Sequence, residues 1–354
     1  MKGAHGLCWK GPAGVVCAIV LSFSVLPSLG LASEVKPKSG LPPTISIGSL
    51  APGTAAHAWA TGLANIVSNN TSMKLLVQSQ PGPAMAFPLM EKRSLDLVGC
   101  ASPEAYWAFR GEHGYKEITG GKGYRGLRLL FMDSDYIVGI VTGTDTVIKT
   151  TRDLKGKNIA LVDLVHLSPH FTVRAAVANG GLTEKDVIFV PVASASEGKK
   201  LTVEKKVDAT STPFGAADVE EIKAARGARW VSLDPSPEAM KRFQSLFPAT
   251  PKLVKAGTAT GIIEDTWFCT FRQAIAAWET FPDAAVHAIL QAVWDNVEKY
   301  REVHGLMRDL TRERLATTQA TLPYHPGAIK FFKDKGLWNK ELEGHQQALF
   351  EGKR

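Results

Sequence analysis

TISIGSLAPGTAAHAWATGLANIV, residues 44–67, decides the fold. Thr44 to Ile47 is a short β-branched run of the kind that forms a strand. A Pro-Gly turn follows. From there Ala56, Trp59, Ala60, Leu63 and Val67 fall on one face, the 3.6-residue period of a helix packed on a sheet. These side chains are core, not a cofactor box. The unit recurs downstream as Lys74 to Gln78 then Ala84 to Lys92, and as Leu95 to Gly99 then Pro103 to Phe109. Such alternation builds a parallel sheet with crossover helices. A second series starts after the strand pair Leu127 to Met132 and Tyr136 to Thr142. It runs through Asn158 to Val162, a helix to Asn179, Val187 to Val192, a helix, Val207 to Thr210, a helix, and Trp230 to Leu233. The class is α/β, with two doubly wound lobes. The chain from Asp283 onward is mainly helical and is expected to return to the first lobe and buttress it. The boundaries expected are 1–33 for a leader, 34–137 for lobe I, 138–250 for lobe II and 251–354 for the return.

The leader is read from Lys2 and Lys10, which precede an uncharged apolar run from Ala13 to Leu26, then Pro27 and the small-residue stretch Ser28 to Ser33. That is the pattern of a secretory signal peptide. Its 14 apolar residues fall short of the roughly 20 needed to span a bilayer as a helix. Gly30-Leu31-Ala32 places the cut near Ala32 or Ser33, so the mature chain is expected in the periplasm, with an uncleaved anchor as the alternative. Two of the 41 Lys and Arg residues leave with the leader, against 34 acidic residues, which gives the mature chain about +5 of formal charge. The basic residues are scattered apart from the Gly120 to Arg128 loop, and no aromatic-interleaved stripe points to nucleic acid. Cys8 and Cys17 leave too. Cys100 and Cys269 form neither a disulfide framework nor a zinc cluster, and their apolar surroundings favour buried free thiols.

In open parallel sheets, function sits at the carboxyl ends of strands, where helix N-termini present unpaired N–H groups and a positive dipole end. Ser102-Pro103-Glu104 and Ser168-Pro169-His170 mark two such ends, one per lobe, each with a cap-type hydroxyl followed by proline. If the lobes face each other across a cleft, both helix ends can point at one bound anion. Gly53 and Thr54 add a glycine-permitted backbone approach beside a hydroxyl, with His57 close behind and His170 as a surface or cleft residue able to donate to an anion. Thr212 and Phe214 complete the candidate set with Tyr136. Trp107, Tyr136, Phe214 and Trp267 are the aromatics able to wall a ligand. Ordinary capping and core packing are the alternative for each residue.

The search for an enzyme finds no Gly-x-Ser-x-Gly elbow, no His-Glu-x-x-His, no Walker loop and no Gly-x-Gly-x-x-Gly after the first strand. Asp163, His166 and His170 have metal-ligand residue types, but Pro169 and a helix start lie between the histidines. Glu220 and Glu221 sit on a solvated helix. No cofactor, no metal and no catalytic residues are expected.

Several stretches carry a family resemblance: Ile45 through Gly53-Thr54, the turn Gln78-Ser79-Gln80-Pro81-Gly82, Thr151-Arg152-Asp153-Leu154-Lys155-Gly156-Lys157, and HPGAIKFFKDKGLW from His325 to Trp338. They resemble the TAXI (TRAP-associated extracytoplasmic immunogenic) receptors, the solute-binding components of tripartite ATP-independent periplasmic (TRAP) transporters. The resemblance runs over nearly the whole mature chain, and the C-terminal signature is its most specific part. It implies a type II periplasmic-binding fold, ligand capture between the lobes, and delivery to a sodium-driven permease without ATP; a small carboxylate-bearing ligand and a monomeric receptor are expected. An exported sensor docking on a membrane receptor would use the same cleft. The chain departs from the family where tyrosines usually follow Gly53-Thr54, since Ala55 and Ala56 stand there. Leu167-Ser168-Pro169 replaces a glycine-rich turn, and Ala259 replaces the customary tyrosine after Gly257-Thr258.

Overall fold

The computed structural model describes residues 40–164, 166–217 and 219–352; the leader lies outside them. Thr44–Ser49 forms β1, Ala55–Asn70 α1, Lys74–Ser79 β2, Pro83–Glu91 α2, Leu97–Ala101 β3, Ser102–Arg110 α3 and Gly114–Thr119 α4. Leu127–Thr142 is β4, followed by β5 (Asn158–Val162), α5 (Leu167–Asn179), β6 (Ile188–Val192), α6 (Ala195–Val203), β7 (Ala209–Pro213), α7 (Val219–Arg226) and β8 (Arg229–Val231). Then come α8 (Pro237–Gln244), β9 (Thr250–Val254), β10 (Thr266–Trp278), α9 (Asp283–Asp295), α10 (Val297–Arg301), α11 (Pro326–Asp334) and α12 (Lys340–Glu351).

The ten strands among the described residues belong to one sheet, ordered β2-β1-β3-β10-β4-β7-β5-β6, with β8 on β4 and β9 on β10. Two parallel sets flank an antiparallel centre. β1 runs parallel to β2 and β3, and β5 runs parallel to β6 and β7. Between the sets, β4 and β10 pair antiparallel from Cys269 opposite Val138 to Trp278 opposite Leu127. One end of this pair adjoins β3 and the other adjoins β7, β8 and β9.

The expected strand pair at 127–132 and 136–142 is therefore one continuous strand. The polar residues between them stay extended because each is satisfied inside the protein. Buried Asp133 accepts the Tyr300 hydroxyl at 2.6 Å and the Ser134 N–H at 2.6 Å. Its partner β10 is almost wholly buried, so it lacks the alternation that advertises a half-buried strand. The same central strands feed the main core, while a smaller cluster around Trp230, Phe268 and Ile222 covers one face of the second half. Among the C-terminal helices α9 lies on α1 and α11, and the chain passes beside β4 through the bond from the His325 N–H to the Leu129 carbonyl.

The β4–β10 register slips between Arg272 and Ala274 and again between Ile275 and Ala276. A slip of this kind bends the strand and leaves backbone groups unpaired. Arg272 repairs the first one. Its buried guanidinium donates to the Asp133 carbonyl at 2.9 and 2.6 Å, to that of Met132 at 3.2 Å and to that of Arg314 at 2.9 Å. Burial pushes this group down to about 10, still cationic at neutral pH. Replacing it by alanine strands buried carbonyls and the neighbouring Asp135. Arg272→Ala is expected to cost roughly 3–5 kcal/mol in urea unfolding, and a loss under about 1 kcal/mol would remove its structural role.

Candidate functional site

The carboxyl end of β1 delivers Ser49 to a turn in which Gly53 adopts φ +87°, a left-handed conformation natural to glycine. No atom lies within 4 Å of where a Gly53 Cβ would stand. A larger residue there would act through backbone strain rather than collision. Thr54 caps α1 by accepting the His57 N–H at 3.2 Å, and it donates its own hydroxyl proton to the Ala51 carbonyl at 2.8 Å. The Nδ1 of His57 lies 3.2 Å from the Leu50 carbonyl, so Nδ1 carries the proton and Nε2 is the acceptor in the neutral ring. Among the described residues the N–H groups of Ala55 and Ala56 find no acceptor, which leaves this helix end competent to hold an anion. Ser49 and Gln80 were not legible as site residues. Ser49 is buried with its hydroxyl unpartnered among the described residues, beside a small hollow lined also by Gly48, Gln80, Gly82 and Gly99.

The helix starts at Ser102 and Ser168 are brought together, but neither serine caps. β3 runs straight into α3, so Ala101 is its cap and Ser102 its first helical residue. In α5 the cap is His166 and Ser168 is the second helical residue, again without a side-chain cap bond. The prolines consequently sit at second and third positions, where an N–H has no intrahelical partner in any case. The two ends converge on one carboxylate, and that carboxylate belongs to the chain. Glu104, in the first turn of α3 and fully buried, accepts the Tyr115 hydroxyl at 2.9 Å and the N–H groups of Leu167 and Ser168 at 3.3 Å each. Burial pushes its carboxyl up to about 7 against the pull of these bonds. The sequence signal was an acid in the first turn of a helix, which is too common to single out.

Around this contact Trp107 packs on Phe171 at 5.0 Å, on His113 at 4.4 Å and on Phe247 at 5.7 Å, so it is part of the joint between the halves. His170, read from the sequence as a surface or cleft donor, is buried instead. Its Nδ1 bonds the Val162 carbonyl at 2.7 Å, and burial lowers its pKa. Tyr136 stands half-buried where β4 passes from one half to the other, edge-on to Trp59 at 5.3 Å and tilted on Phe271 at 5.4 Å. Beyond it, buried Thr212 on β7 has an unpartnered hydroxyl among the described residues. Phe214 donates its N–H to the Ile137 carbonyl and packs on Phe268. Trp267 packs on the edge of the main core. Among the described residues no three His, Cys, Asp or Glu side chains converge as a metal site, and Cys100 and Cys269 are buried free thiols.

Capping geometry sets a contrast that can be measured. Thr54→Ala removes a working cap and is expected to cost about 1 kcal/mol. Ser102→Ala and Ser168→Ala remove none and are expected to leave the melting temperature nearly unchanged. Equal losses for all three would contradict the assigned caps.

Among solved structures, one described as a periplasmic transporter superposes with a TM-score of 0.51 at 11% identity, covering 87% of this chain and 97% of the other. An ancestral arginine-binding protein bound to arginine gives 0.46 at 15% identity, over 74% of this chain and 96% of its own. The alkanesulfonate-binding protein SsuA from Xanthomonas axonopodis pv. citri, bound to MOPS, gives 0.44 at 14% identity, over 86% and 98%. At 11% identity the first of these is a likeness of fold alone, and the mixed α/β sheet with its helices is that of a two-lobed type II fold. No helix among the described residues is long and apolar enough to cross a membrane. Residues 47–336 match the model of the NMT1-like family. With that span covering most of its length, the chain belongs to the NMT1-like family.

Proposed function

We propose that this protein is the exported solute-binding component of a TRAP transporter of the TAXI type, capturing a small organic anion between its lobes and handing it to a membrane permease. The observation that carries the reading is the meeting of the two parallel sets at their carboxyl ends. The helix that follows β3 touches the first turn of the helix that follows β5, through Glu104. Those ends are where open α/β sheets bind ligands. In this reading the halves divide within β4 near Tyr136 and within β10 near Phe271, and Pro251 to Thr270 stays with the second half.

The anion is assigned to the start of α1, where Ala55 and Ala56 offer N–H groups beside Thr54 and His57. Ser49, Tyr136, Thr212 and Phe214 are assigned to the same site as its hydroxyls and ring. The leader read from residues 1–33 supports export, and the stretch from His325 to Trp338 supports the transporter class. A thermal-shift screen of glutamate, succinate, pyruvate, arginine and glucose on refolded, ligand-stripped protein tests the reading. At hundredfold excess over its Kd, a ligand of the folded state adds about 2.7 kcal/mol of stability. The acids are expected to raise the melting temperature and glucose is not. A response to glucose alone would overturn the anion assignment, and loss of the response in Thr54→Ala and His57→Ala is expected if the site is at α1.

A further inference from the structure

The α5 N-terminus is an anion site already filled from within. Its first two N–H groups point at Glu104, which is carried by the opposite half and held on its other side by Tyr115 of α4. The carboxyl is fully buried. Among the described residues no lysine or arginine pairs with it. Arg272, buried on the central strands, turns to the carbonyls of Met132 and Asp133. An ionised carboxylate in such a place relies on two 3.3 Å backbone bonds and one hydroxyl, whereas separation of α3 from α5 would return it to water.

We propose that Glu104 is an internal ligand of the α5 helix, a latch that holds the halves together without solute, and that closing over it takes up one proton. The inference rests on the two-lobed capture reading, but it concerns the solute-free protein and can fail alone. The sign follows from burial. In the closed form the carboxyl titrates near 7, and exposed it would return toward its ordinary 4.5. Closure is therefore favoured while the closed form is protonated and the open form is not, and the advantage is lost as pH rises through about 7.

Other titratable groups face the same joint and act differently. His113, before α4, is lowered by burial, as are His166 and His170 on the α5 side. Protonating these histidines would drive the halves apart as pH falls, opposite in sign to Glu104. Cys100 on β3 and Tyr115 are both raised by burial and by Glu104 itself, and stay neutral.

Small-angle scattering and tryptophan emission of the solute-free protein between pH 6.5 and 8 test the latch, Trp107 being the reporter in the joint. The wild type is expected to be more compact at the lower pH, with the closed-to-open ratio changing by at most about tenfold per pH unit, the limit for one proton. Glu104→Gln, uncharged throughout, is expected to lose this dependence. Tyr115→Phe removes a bond that favours the ionised form and is expected to move the transition to higher pH. Far-UV circular dichroism establishes that each variant is folded; if Glu104→Gln does not fold, the direction of the Tyr115→Phe shift decides. A wild-type particle of constant size and emission, a transition retained in Glu104→Gln, or a Tyr115→Phe midpoint unmoved or lowered would each overturn the proposal.

Discussion

Everything in this molecule hangs on the antiparallel pair of β4 and β10. Two parallel sets lie on either side of it, and they share one sheet only because these two strands are long enough to serve both. A register slip in the middle bends the pair, and a slip inside a sheet leaves carbonyls that water cannot reach. Arg272 meets that need with a planar fork of donors aimed at three carbonyl oxygens, a task that the point charge of a lysine would perform poorly. Asp133, bound by Tyr300 and Ser134, secures the opposite strand. The place where the sheet bends is thus fixed by buried polar groups whose partners are specific, and the helices on each side inherit their positions from it.

From this constraint follows the meeting of α3 and α5. A helix that starts at the end of a parallel strand exposes N–H groups there, and Glu104 of α3 meets two of them at the start of α5. The electrostatic need so created is met by Glu104 at α5 and is left open at the start of α1. In the proposed reading, one helix end joins the halves and the other receives the solute. The division of labour also accounts for the aromatic packing around Trp107, which excludes water from the joint and strengthens the bonds inside it.

The first parallel unit was legible because Trp59, Leu63 and Val67 repeat with a helical period behind a β-branched run, and nothing tertiary overrides that pattern. β10 was not, because a strand covered on both faces shows no alternation. Ser102 and Ser168 drew attention as caps because Ser-Pro is a common helix start. The strand before α3 runs on without a break, however, and α5 begins one residue earlier than its serine. The role of Glu104 depends on a partner 63 residues away, which no local pattern encodes. The family signature from His325 to Trp338 proves largely architectural. His325 caps α11, a Cβ on Gly327 would stand 2.9 Å from the Asp283 backbone, and Trp338 packs on Tyr324. Those residues dock the C-terminal helices, so they speak for the fold and not for the ligand.

The central claim, that the halves move about the β4–β10 joint to enclose a small anion, is open to a direct distance measurement. Lys92 beside α2 and Lys200 on α6 are exposed on opposite halves, and Cys100 and Cys269 are buried, so cysteines placed at 92 and 200 can be spin-labelled selectively. Pulsed electron resonance is expected to give a distance distribution that shortens and narrows on saturation with whichever acid raises the melting temperature. One unchanged distance with and without that acid would contradict the account.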